Sequence, residues 1–86
     1  MKVYLVSISE TAIKQIKKLP KDTKLKIIAA ILSFEIEPRP FGCKKLAGSQ
    51  NTYRIRLGNY RVIYDIHEKE ILVKALKVGH RKDIYN

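Results

Sequence analysis

Arg54, Arg56 and Arg61 fall in one stretch, Tyr53-Arg54-Ile55-Arg56-Leu57-Gly58-Asn59-Tyr60-Arg61-Val62-Ile63-Tyr64, whose pattern could build an anion site. Tyr53, Ile55 and Leu57 alternate with Arg54 and Arg56 at the period of a strand, and Gly58-Asn59 is a two-residue hairpin signal. With that pair in the loop, Leu57 faces Tyr60, Arg56 faces Arg61 and Ile55 faces Val62. Like charges directly opposed across a hairpin destabilise it. The stretch therefore reads either as a solvated basic face with its guanidiniums fanned apart, or as a site awaiting an anion.

The other groups capable of chemistry are few. One cysteine and two well-separated histidines make no cluster at zinc spacing. His80 and Asp83 are three apart, but two potential ligands are not a site, so neither metal nor cofactor is expected. His67, beside Glu68 and Glu70, reads as part of a solvated turn. Cys43 could be a thiol activated by Lys44 and Lys45, though filler in a loop is the simpler reading. His80-Arg81-Lys82-Asp83-Ile84-Tyr85-Asn86 forms a basic tail.

The elements that must position these groups follow from periodicity. Residues 2–8 are rich in Val, Tyr, Leu and Ile and predict a first strand. Ser9 is placed to cap a helix whose apolar stripe is Ala12, Ile13, Ile16 and Leu19 and which Pro20 ends. A second helix is predicted from Lys21 or Asp22 to about Ile36, with Leu25, Ile28, Ala29, Leu32 and Ile36 on one face. Residues 37–42 are a loop by composition, with Pro38 and Pro40 denying backbone donors. The arginine hairpin occupies about 52–66, residues 67–70 make a turn, and 71–78 form a last strand, ended by Gly79. Its poor alternation predicts a central position with both faces partly covered. The order β-α-α-β-β-β predicts an α+β two-layer sandwich: one domain, residues 1–86, with a helical hairpin on one face of a mainly antiparallel four-stranded sheet. The helices should cover Tyr53, Ile55, Leu57, Tyr60, Val62, Tyr64 and Ile66, leaving Arg54, Arg56 and Arg61 on the other face.

Composition narrows the partners. A chain of 86 residues buries only about 60–65% of its unfolded surface, so stability must come from efficient packing. Eighteen Lys and Arg against eight Asp and Glu leave a net charge of +10, which attracts a nucleic acid or an acidic protein. No apolar run approaches the roughly 20 residues that span a bilayer, and the helices lack the Trp- or Phe-rich face of a membrane-surface helix. The first residues carry no signal-peptide pattern, so a cytoplasmic location and no membrane partner are expected.

The chain resembles the RelE/ParE toxin superfamily of type II toxin–antitoxin systems, and more closely its RelE-like mRNA interferase branch. The resemblance runs through Lys17-Lys18-Leu19-Pro20, Pro38-Arg39-Pro40, Lys44-Lys45-Leu46-Ala47-Gly48, the arginine hairpin, and Val78-Gly79-His80-Arg81-Lys82-Asp83-Ile84-Tyr85. It implies a ribosome-dependent, metal-independent endoribonuclease that cuts mRNA in the ribosomal A site, inhibits translation and is held inactive by an acidic, RelB-like antitoxin. It also implies operator DNA as a partner only through the antitoxin complex. Carried over motif by motif, the basic pair of the first hairpin strand falls on Arg54 and Arg56, the phosphate-binding arginine on Arg61, and the carboxy-terminal arginine and tyrosine on Arg81 and Tyr85. The best-known RelE members have lysines where this chain has Arg54 and Arg56.

That departure matters chemically. Cleavage by 2'-hydroxyl attack needs a proton removed, a dianionic transition state stabilised and the 5'-oxygen protonated. Arginine suits the second task but, with a pKa above about 12, is a poor proton acceptor. His80 is then the candidate for moving a proton, ahead of Tyr85, with an exposed tail residue or a local cap as its structural alternative. Arg61 and Arg81 would hold the phosphate, Tyr85 would stack on a base or position the phosphate, and Lys44, Lys45 and Lys82, with Lys74 and Lys77, would make positioning contacts to RNA or simply be solvated. The competing functions are a ParE-like inhibitor of DNA gyrase and a non-catalytic co-repressor bound to its antitoxin.

Overall fold

The computed structural model describes residues 2–82. Its elements are β1 (Leu5–Ile8), α1 (Glu10–Lys17), α2 (Lys21–Ser33), β2 (Lys44–Lys45), β3 (Thr52–Leu57), β4 (Tyr60–His67) and β5 (Leu72–His80). They form one sheet in the order β1-β5-β4-β3-β2, with β1 parallel to β5 and the other pairs antiparallel. A parallel neighbour needs a crossover, and the helical hairpin supplies it. No helix among the described residues is long and apolar enough to cross a membrane.

Ser9 caps α1 as its position predicts. Its Oγ accepts from the Ala12 N–H at 3.0 Å and donates to the Leu76 carbonyl at 2.8 Å, so the cap also ties α1 to β5. Pro20, which has no N–H to continue α1, becomes the N-cap of α2. The core is built from Ala12, Ile16, Ile27, Ile31 and Phe34 against Ile55, Val62, Tyr64, Ile66, Val73, Ala75 and Val78. At its centre the Phe34 and Tyr64 rings stack at 4.1 Å, and the Tyr64 hydroxyl donates to the Pro38 carbonyl at 2.8 Å.

The sheet has five strands, where four are expected. Two exposed lysines show no alternation to read, and β2 exists because Lys44 and Lys45 pair with Arg54 and Tyr53 while the Leu46 N–H bonds the Thr52 carbonyl at 2.9 Å. The first strand begins at Leu5 and not at residue 2, since the Tyr4 N–H bonds the Glu35 carbonyl instead of a sheet neighbour.

The second helix corrects the expected stripe. It ends at Ser33 and buries Ile27 and Ile31, followed by Phe34, whereas Leu25, Leu32 and Ile36 are each more than half exposed. The segment carries two apolar stripes, and periodicity alone does not rank them. Phe34 decides, because its ring, stacked on Tyr64, has no equivalent on the other face.

β5 is central, between β1 and β4, and its poor alternation has a specific cause. Ile63 pairs with Lys77 but Tyr64 pairs with Ala75, so Leu76 is an extra residue in a bulge. The inward set is therefore Val73, Ala75 and Val78, a spacing of two and then three. Next to the bulge the Val78 N–H donates to Gln15 Oε1 of α1 at 2.7 Å.

Candidate functional site

Register sorts the basic residues onto the sheet face opposite the helices. Arg56 pairs with Arg61, and Arg61 pairs with Gly79. The neighbouring row runs Lys44, Arg54, Ile63, Lys77, and the next runs Thr52, Asp65, Lys74 and Ser7. The directly opposed Arg56–Arg61 pair expected from the hairpin is present, with Cα atoms at a cross-strand separation of roughly 4.5–5.5 Å. Gly79 extends that row without a side chain.

The face has an electrostatic gradient. Its carboxylate among the described residues, Asp65, lies at the end remote from the hairpin loop, where Oδ1 accepts from Thr52 Oγ1 at 2.7 Å and Oδ2 stands 3.7 Å from His67 Nε2. Among the described residues, Arg54, Arg56 and Arg81 form no ion pair with a carboxylate. Arg56 is exposed and Arg54 half-buried, and the Arg54 Nε is enclosed without a hydrogen-bond partner among the described residues. A buried N–H left without a partner costs about 1–3 kcal/mol, so an acceptor brought to this guanidinium would be favoured.

Arg81 joins this end of the sheet through its backbone, whose N–H donates to the Asn59 carbonyl of the hairpin loop at 2.8 Å. His80 does not share the arginine face. It pairs with Tyr60, whose side chain lies on the helix side, and the two rings meet edge-on at 5.6 Å. Its Nδ1 accepts the Lys82 N–H at 3.2 Å, the local cap that was the structural alternative for this residue. Adjacency to Arg81 in sequence therefore does not set the imidazole beside Arg61, because alternation along β5 turns it to the other side. Lys44, Lys74 and Lys77 lie on or along the arginine face, Lys45 is paired with Tyr53, and all four are exposed. Lys82 follows in the turn after β5, and Tyr85 lies outside the described residues. Among the described residues, no group of three or more His, Cys, Asp or Glu is gathered to hold a metal ion.

A polar network that sequence reasoning missed closes the opposite end of the sheet. Glu68 accepts from Tyr4 Oη at 2.9 Å and from Arg39 Nη1 at 2.6 Å, with Lys2 Nζ at 3.7 Å. Arg39 Nε reaches Tyr53 Oη at 3.3 Å, and its guanidinium lies 5.1 Å from the Tyr53 ring centre. The hydrogen bonds from Arg39 and Tyr4 hold the Glu68 carboxyl below its ordinary pKa, and the bond to Glu68 raises that of Tyr4. Burial, with Cys43 close by, raises Tyr64. Partners as far apart in the chain as Lys2 and Glu68 leave no local signal to find.

Comparison with known proteins agrees with this geometry. A family profile for the ParE toxin of type II toxin–antitoxin systems (parDE) matches residues 6–85. Toxin RelG of Mycobacterium tuberculosis is 36% identical over 90 residues, covering 95% of each chain. Toxin RelE3 of Methanocaldococcus jannaschii is 34% identical over 85 residues, covering 94% of each. Among solved structures, the archaeal RelE–RelB complex from Pyrococcus horikoshii OT3 superposes with a TM-score of 0.83 at 35% identity, covering 94% of this chain and 98% of that one. With its helical hairpin, mixed sheet and basic outer face, the chain belongs to the RelE/ParE superfamily of type II toxin–antitoxin toxins, on the side of the RelE-named members.

Proposed function

We propose that this toxin is a ribosome-dependent, metal-independent endoribonuclease that cleaves mRNA in the ribosomal A site and so inhibits translation in the cytoplasm. The observation that carries the reading is the cross-strand pairing of Arg56 with Arg61 at the hairpin end of the open face, with Arg81 brought to the same end through Asn59. Guanidiniums on opposed strand positions can bind the oxygens of one phosphate together. In the proposed reaction the 2'-oxygen bonds to the adjacent phosphorus, the bond to the 5'-oxygen breaks, and the leaving oxygen takes a proton. Arg61 and Arg81 hold the phosphate and stabilise its dianionic transition state, with Arg54 and Arg56 binding the RNA backbone. His80 is the proposed proton carrier among the described residues. To reach the phosphate its ring must leave Tyr60, so its removal should slow the reaction less than loss of Arg61. Tyr85 stacks on a base or positions the phosphate, and Lys44, Lys45 and Lys82 contact neighbouring phosphates.

The inhibitory partner in this reading is an acidic antitoxin, drawn by the charge of +10. Solved complexes of RelE with RelB, such as that from Pyrococcus horikoshii, support it. Operator DNA is reached only through that complex. Because the matching family profile is described by ParE, gyrase inhibition is the second reading, and one experiment separates the two. Mapping mRNA 5' ends after brief expression should show new ends within codons for wild type and none for Arg61→Ala or Arg81→Ala, with gyrase supercoiling unaffected. Blocked supercoiling without new mRNA ends would replace the nuclease with the gyrase inhibitor.

A further inference from the structure

We infer that Phe41 is a second contact to RNA, a stacking platform for an unpaired base next to the cleavage site; the inference rests on the nuclease reading and names a specificity element for it. Phe41 is completely exposed, at 108% of the reference accessibility. A phenylalanine held this way contributes nothing to the core and leaves both faces of its ring accessible to an external partner. It is not on a loose tip. The Cys43 N–H donates to the Pro40 carbonyl at 3.0 Å and Gly42 sits at φ 91°, which makes Pro40 to Cys43 a hydrogen-bonded turn with Phe41 at its first corner. Both flanks of the turn are anchored: Arg39 by Glu68 and Tyr53, and Cys43 by packing on the core. The ring is thus presented in advance of binding.

Its surroundings select the partner. Directly after the turn come Lys44, level with Arg54 in the basic row, and Lys45, both exposed. Because β2 runs antiparallel to β3, the chain ahead of Lys44 leads toward the Arg56 end of β3 and not toward Asp65. An aromatic face beside a track of cations is the arrangement by which single-stranded nucleic acid is held, the cations taking phosphates and the ring taking a base. A protein partner seeking apolar surface finds it elsewhere, on Leu25, Leu32 and Ile36 and at Val3 and Leu5 by β1, the edge of the sheet opposite β2.

The chain has no tryptophan, so Phe41→Trp introduces a single indole whose emission reports stacking. The probe is a short single-stranded oligoribonucleotide, 2'-O-methylated so that it cannot be cleaved, with ribosomes carrying mRNA as the active substrate. Expected are saturable quenching of the Phe41→Trp emission by the oligonucleotide and a roughly 5- to 100-fold weaker binding for Phe41→Ala. For Phe41→Ala the melting temperature and the salt slope should stay unchanged, and the concentration for half-maximal cleavage should rise while the limiting rate holds. Arg56→Ala should differ by flattening the salt slope by about 0.7. Wild-type affinity and cleavage for Phe41→Ala beside a weakened Arg56→Ala would overturn the stacking role and leave the nuclease standing. A lowered melting temperature for Phe41→Ala would make its effect structural and overturn the role as well. Wild-type protein that neither binds the oligonucleotide nor cuts mRNA would remove the nuclease reading and this inference together.

Discussion

Replacing Arg56 should stabilise the fold in proportion to the charge it loses. Arg56 is exposed and stands opposite Arg61, so water's dielectric sets the scale. At about 6 Å, two unit charges repel by about 0.7 kcal/mol before screening. Arg56→Gln removes this repulsion, and Arg56→Glu turns it into an equal attraction, a total swing of about 1.4 kcal/mol. With a Debye length of about 8 Å at physiological ionic strength, roughly half survives, about 0.7 kcal/mol; in 1 M salt only about 0.2 kcal/mol remains. In a domain of this size 0.7 kcal/mol raises the melting temperature by about 3–6 °C. Thermal melts of wild type, Arg56→Gln and Arg56→Glu at low and high salt should rise in that order and converge as salt is added. The same variants should lose RNA affinity in the same order. A melting temperature for Arg56→Glu at or below wild type in low salt, or a gain that salt does not erase, would refute an opposed pair of guanidiniums.

Other perturbations test the supports of this face. Tyr64→Phe leaves the buried Pro38 carbonyl without its donor at 2.8 Å and should cost about 1–2 kcal/mol in urea denaturation. Ile71 is a β-branched residue held at φ 50°, and Ile71→Asn should raise the urea midpoint by about 0.5–1 kcal/mol equivalent, as relief of backbone strain outweighs the loss of a partly exposed side chain. Glu68 has its pKa lowered by Arg39 and Tyr4, so its contribution is complete above the unfolded value near 4.3 and is lost as pH falls through the lower folded value. Because the pair is exposed, wild type should lose only about 0.5 kcal/mol more than Glu68→Gln between pH 5 and pH 3, read from urea midpoints.

The parts of the fold that could be read from the sequence are those specified by neighbours in the chain. Ser9 caps because its hydroxyl lies three residues from the N–H it accepts, and the arginine hairpin pairs in the expected register because Gly58-Asn59 sets it. What the sequence hides is decided across the fold. Two apolar stripes on α2 compete equally until Phe34 meets Tyr64. The bulge at Leu76 is visible in the sequence only as broken alternation, and it acquires its meaning from Ile63 on the neighbouring strand. For the candidate site, arginines at alternate strand positions were assignable to a face, whereas His80 was not: its face depends on the phase of β5, which the bulge shifts by one residue.

In the proposed reading, the placement of Asp65 favours the hairpin end of this face for the phosphate. Among the described residues, the carboxylate of this face stands two positions beyond Ile63, held by Thr52 and His67 and level with Lys74. Strand geometry puts it about 13 Å along β4 from Arg61, beyond the Debye length of about 8 Å. Asp65 itself therefore does little to lower the positive potential of the hairpin end in physiological salt. The helices meanwhile stabilise the other face, with Phe34, Ile27 and Ile31 packed against β3–β5 and none of them touching the guanidinium row. Burial on one side of the sheet thus stabilises strands whose other side carries a row of guanidiniums in place of apolar packing.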